Sequence, residues 1–129
     1  SFSLVRRKEI TTMIIQNGNT NIEETCLQGY IECSYDDLVG AFGKPTVEGG
    51  METKIEVEWK LTFIEGTRTN DNHEVVTIYN WKNGKRYCGE EKGLEVKDIK
   101  EWNIGGHRRY AVDLVHDAMN KYKDPYPYD

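Results

Sequence analysis

The sequence predicts an α+β fold, a mostly antiparallel β-sheet with one face covered by a short helix and a longer C-terminal α-helix. Three patterns indicate it: apolar and polar residues alternate over 54–63, an Asn-Gly dipeptide lies at 83–84, and apolar residues recur at helical spacing from 111 to 122. A chain of 129 residues can bury one continuous core. We therefore expect a single domain over 1–129, with 1–20 as a peripheral N-terminal segment and 124–129 as a tail.

The N-terminal third predicts two strands. Residues 4–16 contain a β-branched run that favours a strand, although a short helix also fits, and residues 17–19 predict a turn. Residues 24–33 alternate in the manner of a strand. One face of this strand would carry Leu27, Gly29, Ile31 and Cys33, and the other Gln28, Tyr30 and Glu32.

A short helix follows in the segment SYDDLVGAFGKP. Ser34 and Asp37 have the spacing of a capping box, in which each side chain accepts from the other residue's backbone N–H. Leu38 and Phe42 belong to the apolar stripe, which also includes Val39. The Gly-x-Pro sequence at 43–45 ends the helix.

The middle of the chain predicts antiparallel strands joined by hairpins. Residues 46–53 predict a loop, and residues 54–63 a strand with one buried and one solvated face. Its buried face would carry Ile55, Val57, Trp59, Leu61 and Phe63. Residues 65–73 predict a polar hairpin loop, and residues 74–88 predict two strands joined by a type I′ turn at Asn83-Gly84.

The C-terminal part predicts a polar connector over 90–98, a short strand over 99–104 and a helix that begins near His107. In the predicted registers, Trp102 and Tyr30 lie on the sheet face opposite the core and line a pocket, cover that face or form a homodimer interface. The helix would bury Ala111, Leu114, Val115, Ala118 and Tyr122 against the 55–63 face. Asp124-Pro125 would end it.

Composition excludes several classes of protein. A formal charge of −5 argues against a general nucleic-acid binder, but allows a basic pocket in an acidic shell or an acidic surface for a basic protein. No apolar run approaches the roughly 20 residues of a membrane span, and no signal-peptide pattern opens the chain. The three cysteines lack CxxC spacing, which favours reduced thiols. We expect a cytoplasmic protein without metal or cofactor, which binds neither membrane nor nucleic acid directly.

The first candidate site is the segment Gly105-Gly106-His107-Arg108-Arg109. A helix N-terminus exposes unpaired N–H groups and a partial positive charge, and glycines let a bound group approach the backbone. Arginines in a first turn oppose the helix dipole, so an anionic ligand such as phosphate would account for them. The structural alternative is a tight strand-to-helix turn whose arginines pair with surface carboxylates, because a bare Gly-Gly lacks dinucleotide or P-loop spacing.

A second basic cluster lies in the predicted hairpin, where Trp81 precedes Lys82, Lys85 and Arg86. Aromatic side chains among cations suit stacking on a base while holding its phosphates. The alternative is a solvated hairpin tip whose lysines discourage edge-to-edge aggregation. For catalysis no motif is present: the sequence has no HExxH, nucleophile elbow or Walker motif.

A family of small, mostly uncharacterised bacteriophage and prophage proteins resembles this chain in four stretches: SYDDLVGAFGKPT, KIEVEWKLTF, VVTIYNWKNGKRY and EWNIGGHRRYAVDLVHDAM. The shared motifs are Y-x-x-L-V-x-x-F-G-x-P, W-x-L-x-F, T-I-Y-x-W-K and W-x-I-G-G-H, which are specific as a set and weak singly. The resemblance covers about residues 27–120; the 65–74 loop is longer here, and the first twenty-odd residues have no counterpart. It implies a phage accessory protein of the bacterial cytoplasm, of a type that often counters host immunity.

We therefore expect a non-enzymatic phage anti-defence protein that binds and sequesters a phosphate-bearing nucleotide immune signal. The alternative is a protein–protein inhibitor, similar to an anti-CRISPR, whose acidic surface occupies a basic groove of a host defence nuclease. An enzyme that degrades the signal is a third interpretation. Exposed aromatic residues also make a homo-oligomer plausible.

Overall fold

The structure, a computed structural model, describes residues 10–18, 20–48, 57–67, 71–81 and 95–124. The elements in chain order are β1 (Ile10–Asn17), β2 (Cys26–Glu32), α1 (Tyr35–Phe42), β3 (Val47–Glu48), β4 (Val57–Thr67), β5 (Asp71–Tyr79), a 3₁₀ turn (Val96–Asp98), β6 (Glu101–Gly106) and α2 (Tyr110–Lys123). The strands form one antiparallel sheet in the order β1-β4-β5-β6-β2, and β3 also pairs with β4. The α+β architecture is therefore confirmed.

Strands β4 and β5 form a longer hairpin than the sequence predicts. The alternation that begins at Val57 continues past Phe63, and the ladder extends to the pair Gly66↔Asp71. The expected loop over 65–73 is therefore wrong at both ends, because backbone pairing holds its polar residues in strands. The expected loop over 46–53 is also corrected at its start, where β3 pairs with β4. Ile55 and the Asn83-Gly84 turn lie outside the described residues.

The core lies between the sheet and the two helices. Trp59 and Trp102 are fully buried, and their rings meet edge to face with centroids 5.5 Å apart. The indole N–H of Trp102 donates to the carbonyl of Cys33 (3.0 Å), so burial leaves no polar atom of that ring unpaired. The predicted register for Trp102 is wrong: β6 turns Trp102 and Ile104 inward. Tyr30, by contrast, is exposed on the opposite face.

A β-bulge changes the predicted face of Leu27. The register between β2 and β6 shifts between Leu27 and Gly29. Past the bulge, Ile31 is buried in the core, whereas Leu27 is 47% exposed. A bulge adds one residue to one strand, so every side chain before it moves to the other face.

Helix α1 begins as predicted. The backbone N–H of Asp37 donates to the Ser34 hydroxyl (3.0 Å), and the N–H of Ser34 donates to the Asp37 carboxylate (3.3 Å). Leu38 and Phe42 are buried against the sheet. At Gly43 the backbone has a φ of 90°, which favours glycine and ends the helix.

Helix α2 packs its apolar stripe against the same sheet face. Its buried residues are Ala111, Leu114, Val115 and Met119. Tyr122, which was expected in the stripe, is 45% exposed and lies against Gly40 of α1. Among the described residues, no helix has both the length and the apolar character that a membrane span requires.

Candidate functional site

The two glycines of the first predicted site lie inside the sheet. Gly105 and Gly106 are the last residues of β6, which pairs with β5 on one side and β2 on the other. Helix α2 begins only at Tyr110. The prediction that these glycines directly precede a helix N-terminus is therefore wrong, because their backbone belongs to the sheet ladder.

Close packing explains why both positions are glycine. A Cβ at Gly105 would lie 2.4 Å from the Thr77 hydroxyl oxygen, and a Cβ at Gly106 would lie 2.7 Å from the Ala111 Cβ. Carbon atoms do not approach other heavy atoms this closely without displacement. The glycines thus allow β5 and α2 to approach β6, a packing role that differs from the tight strand-to-helix turn considered as the structural alternative.

Arg108 is engaged by a carboxylate. Its Nε donates to both oxygens of Glu74 (3.1 and 3.2 Å), and its Nη2 donates to Oε1 of the same group (2.8 Å). The hydrogen bonds that Arg108 donates to Glu74 raise the pKa of its guanidinium, so it remains a cation. Pairing with surface carboxylates was the alternative considered for both arginines; Arg108 is paired, but with a buried carboxylate. The charge of Arg108 is therefore not offered to a ligand in this state.

Tyr110 and Glu65 complete a polar cluster beneath Arg108. The Tyr110 hydroxyl donates to the carboxylate of Glu65, which is 2% exposed. The Arg108 guanidinium carbon lies 4.8 Å from the centre of the Tyr110 ring, within range of a cation–π contact. Glu65, Glu74, Arg108 and Tyr110 are called the corner cluster below. It connects the ends of β4 and β5 to the start of α2.

Sequence reasoning missed the two carboxylates of this cluster, although a signal for them exists. Glu65 continues the inward alternation of Trp59, Leu61 and Phe63, and Glu74 begins the inward series of β5. An acidic residue at an inward position needs a buried partner. The interpretation of residues 65–73 as a loop removed that inference for Glu65, whereas Glu74 opened the next predicted strand and its inward position was not recognised.

Arg109 differs from Arg108. It is the exposed N-cap residue of α2, has helical φ and ψ (−61° and −22°), and caps no N–H with its side chain. Its guanidinium makes no salt bridge or hydrogen bond with any residue in the described ranges. A cation at a helix start opposes the dipole, so Arg109 costs stability there without a local partner.

Several backbone N–H groups lie next to Arg109 along the chain. The N–H groups of Ala111 and Val112 are satisfied by the carbonyls of Arg108 (3.1 Å) and Arg109 (2.9 Å). Within the described part of the chain, the N–H groups of His107, Arg108 and Arg109 have no acceptor. Successive free N–H groups in a turn suit an anion. These three N–H groups and the Arg109 guanidinium are called the helix-start site.

Of the second predicted cluster the structure describes only Trp81, which lies away from the helix-start site. Trp81 is 45% exposed just past β5, and its ring contacts that of Tyr79 (centroids 6.5 Å apart). Lys82, Lys85 and Arg86 lie outside the described residues. Trp81 is seven positions beyond Glu74, two of them past the end of β5, which corresponds to roughly 23 Å of extended chain at about 3.3 Å per residue. One chain therefore does not bring Trp81 to the helix-start site.

The open face of the sheet near Trp81 is polar and aromatic. Glu58 and Tyr79 are cross-strand partners on that face. Burial raises the pKa of the Glu58 carboxyl, and burial together with Glu58 raises the pKa of the Tyr79 hydroxyl. Tyr30 adds a second exposed aromatic ring on this face. The arrangement offers flat rings on which a base could stack.

A cavity of about 350 Å³ lies between β2 and α2, away from the helix-start site. His116 closes part of the β2 edge there, since its Nε2 lies 3.0 Å from the Tyr30 carbonyl oxygen. Glu32 and Glu101 line the cavity and are direct cross-strand partners. In the described ranges, no group of three or more His, Cys, Asp or Glu residues could hold a metal ion.

Comparisons with known proteins give no further assignment. No family model, no curated protein and no solved structure matches the chain.

Proposed function

We propose that this chain is a phage anti-defence protein that binds and sequesters a phosphate-bearing nucleotide immune signal in the bacterial cytoplasm, without catalysis. One observation carries the proposal: Arg109 lies at an uncapped helix start with no carboxylate partner in the described residues, beside three N–H groups without acceptors. An anion bound there would satisfy these donors and offset the unfavourable position of the guanidinium. The resemblance to small phage proteins supports the same assignment.

The helix-start site uses different hydrogen-bond donors from the site predicted from sequence. His107 and Arg109 keep their predicted roles, the first through its backbone and the second through its guanidinium. Arg108 contributes its backbone N–H, because Glu74 occupies its side chain. Gly105 and Gly106 act only as spacers that set the position of the loop after β6.

A phosphate alone would bind weakly at this exposed site. Charge-assisted hydrogen bonds contribute about 1.5–3 kcal/mol each at best, and solvent exposure reduces that contribution. A micromolar dissociation constant corresponds to a net binding free energy of about 8 kcal/mol in favour of the complex, which must remain after the entropy cost of association is subtracted. Stacking of a base contributes about 1–3 kcal/mol per base, so a nucleotide ligand needs aromatic contacts in addition to phosphate contacts.

The aromatic contacts would come from a second copy of the chain. Within one chain, Trp81 lies roughly 23 Å from Glu74 of the corner cluster at about 3.3 Å per extended residue. A mononucleotide is too short to bridge that distance. A homo-oligomer that places the Trp81 end of one copy against the helix-start site of another would unite the two predicted clusters, including Lys82, Lys85 and Arg86.

The first test is a thermal-shift screen against cyclic nucleotides and NAD derivatives, because a ligand that binds only the folded state raises the melting temperature. Calorimetry with the best ligand then compares Arg109→Ala with Lys121→Ala. Lys121 is an exposed cation in the last turn of the same helix, about 18 Å away at 1.5 Å per residue, so its removal matches the change in net charge. The proposal expects at least a tenfold loss of affinity for Arg109→Ala alone. Equal affinities for the two variants would refute it.

A second candidate function is a protein–protein inhibitor that engages a basic surface of a host defence nuclease. The observation that favours it is the pair Glu32 and Glu101, which are exposed, directly opposite each other and without a cation partner in the described residues. Two carboxylates directly opposite each other on neighbouring strands repel, and an arginine or lysine of a partner protein would offset that repulsion. An inhibitor would co-purify with a host protein and lose affinity steeply with salt. A sequestering protein would instead release an ultraviolet-absorbing nucleotide on heat denaturation, and an enzyme would turn the nucleotide over.

A further inference from the structure

The cavity between β2 and α2 is a groove with an apolar floor and a charged rim. Ile31 of β2 and Met119 of α2 form the floor and are 4% and 3% exposed. The rim carries the exposed carboxylates of Glu32 and Glu101 and the ring of Tyr30, which is 53% exposed. Its volume of about 350 Å³ lies at the lower end of the range for small-molecule pockets. An apolar floor below a charged rim suits a side chain with an aliphatic stem and a charged end.

The charge of the rim is negative and uncompensated. Glu32 and Glu101 are direct cross-strand partners, which places their Cβ atoms about 4.5–5.5 Å apart. Within the described part of the chain, neither carboxylate forms a salt bridge. Lys123 also lines the groove, but its Nζ lies 3.5 Å from the carboxylate of Asp37. The groove therefore attracts a cation from outside the chain.

His116 decides which kind of group can enter. Its Nε2 lies 3.0 Å from the Tyr30 carbonyl oxygen, so it links α2 to the outer edge of β2. A strand that paired with this edge would need that carbonyl as an acceptor. Because His116 occupies it, the groove is built to receive a side chain rather than an added strand.

We infer that this groove binds an arginine side chain of a partner protein. The planar guanidinium has five N–H donors, enough to reach both carboxylates at once, and its face can lie on the Tyr30 ring while its stem covers Ile31 and Met119. A lysine ammonium is a compact charge without a planar face. Buried arginines are also among the side chains that contribute most to protein–protein affinity. The inference is independent of the phosphate site, and it gives the acidic surface of the second candidate function a defined contact.

Two small probes test the groove without a partner protein. N-acetylarginine N-methylamide carries the side chain and no backbone charge, and N-acetylcitrulline N-methylamide has nearly the same shape without the side-chain charge. Each is titrated at neutral pH and constant ionic strength into the ¹⁵N-labelled protein. The backbone amide shifts of Ile31 and Glu32 and the side-chain amide shift of Asn120 report binding.

The wild-type chain should bind the arginine probe roughly fivefold or more tightly than the citrulline probe, because two exposed ion pairs are lost with the charge. It should also prefer the arginine probe to the corresponding lysine probe. Equal affinities for the arginine and citrulline probes would overturn the inference. Tighter binding of the lysine probe would overturn the assignment to arginine.

Three charge variants locate the contact. Glu32→Gln and Glu101→Gln should each weaken binding of the arginine probe by about two- to fivefold, the range of one exposed ion pair. Each should also raise the melting temperature, because it removes one of two facing carboxylates, so weaker binding cannot be attributed to unfolding. The matched control is Glu48→Gln, which removes an exposed carboxylate of β3, four strands away from β2 in the sheet. This control should bind the probe as the wild type does.

Two variants of Tyr30 test the ring contact. Tyr30→Phe keeps an aromatic face and should retain the affinity, whereas Tyr30→Leu should weaken binding by about two- to fivefold, the size of an exposed cation–π contact. If Glu32→Gln and Glu101→Gln bind the arginine probe as tightly as the wild type, the groove is not the binding site and the inference fails. The phosphate site is tested separately by calorimetry of Arg109→Ala, so either proposal can fail while the other stands.

Discussion

Gly106→Ala tests whether close packing, rather than ligand approach, requires the paired glycines. The added Cβ would lie 2.7 Å from the Ala111 Cβ and 3.3 Å from the Val75 carbonyl oxygen. Among the described glycines only Gly43 has a positive φ, so the substitution at 106 acts through contact and not through backbone strain.

The size of the effect follows from two opposing terms. Overpacking of a core costs about 1–3 kcal/mol. Replacement of glycine by alanine within a strand recovers roughly 0.5–1 kcal/mol of backbone entropy. We expect a net destabilisation of about 1–2 kcal/mol, which lowers the melting temperature by about 4–8 °C in a domain of this size.

Thermal melts followed by circular dichroism measure the change, and a double-mutant cycle identifies its cause. In an Ala111→Gly background the closest contact is absent, so Gly106→Ala should cost less there than in the wild type. A Gly106→Ala melting temperature within about 1 °C of the wild type would refute the packing explanation. An equal cost in both backgrounds would show that contact with helix α2 is not the cause.

One alkylation reaction and three substitutions probe the described structure further. Burial raises the pKa of the Cys33 thiol to about 11. Iodoacetamide at pH 8 should therefore alkylate the exposed Cys26 much faster than Cys33, and peptide mass spectrometry measures the two rates. Equal rates would contradict the buried position of Cys33. Ser34→Ala should cost about 1 kcal/mol at neutral pH. The backbone hydrogen bond from Ser34 holds the pKa of the Asp37 carboxyl below its usual value, so the stability gained from that carboxylate is present above about pH 4 and lost as pH falls through the lowered pKa. Melts of Asp37→Asn and wild type should therefore converge as the pH falls below about 4. Arg108→Ala leaves the largely buried Glu74 carboxylate without its cation. It should lower the free energy of unfolding, measured by urea denaturation, by about 1–2 kcal/mol, a value reduced because the guanidinium is half exposed. An unchanged denaturation midpoint would contradict the pairing.

Local patterns predicted much of the fold. The capping box at Ser34 and the alternation through Trp59 depend on nearest neighbours in sequence, and both agree with the structure. The face of Trp102 could not be read in the same way. Its strand contains only six residues, and the direction of alternation there is set by pairing with β2 and β5. The bulge after Leu27 is likewise a property of the strand pair, so single-strand alternation does not reveal it.

The candidate site was predictable in composition and not in geometry. The sequence singled out Arg108 and Arg109 as cations at a strand-to-helix junction. It could not distinguish them, because the distinction depends on Glu74, which lies 34 residues away along the chain and reaches Arg108 through the β5–β6 pairing. The distance between Trp81 and the helix start is also set by strand register. Both are long-range consequences of the sheet.

The most direct test of the central claim is a crystal structure of the protein with the nucleotide that gives the largest thermal shift. The account predicts a phosphate oxygen about 2.7–3.1 Å from the Arg109 guanidinium and from at least one N–H group of His107, Arg108 or Arg109, with Arg108 still paired to Glu74. A ligand whose phosphate lies elsewhere, with Arg109 directed into solvent, would contradict it.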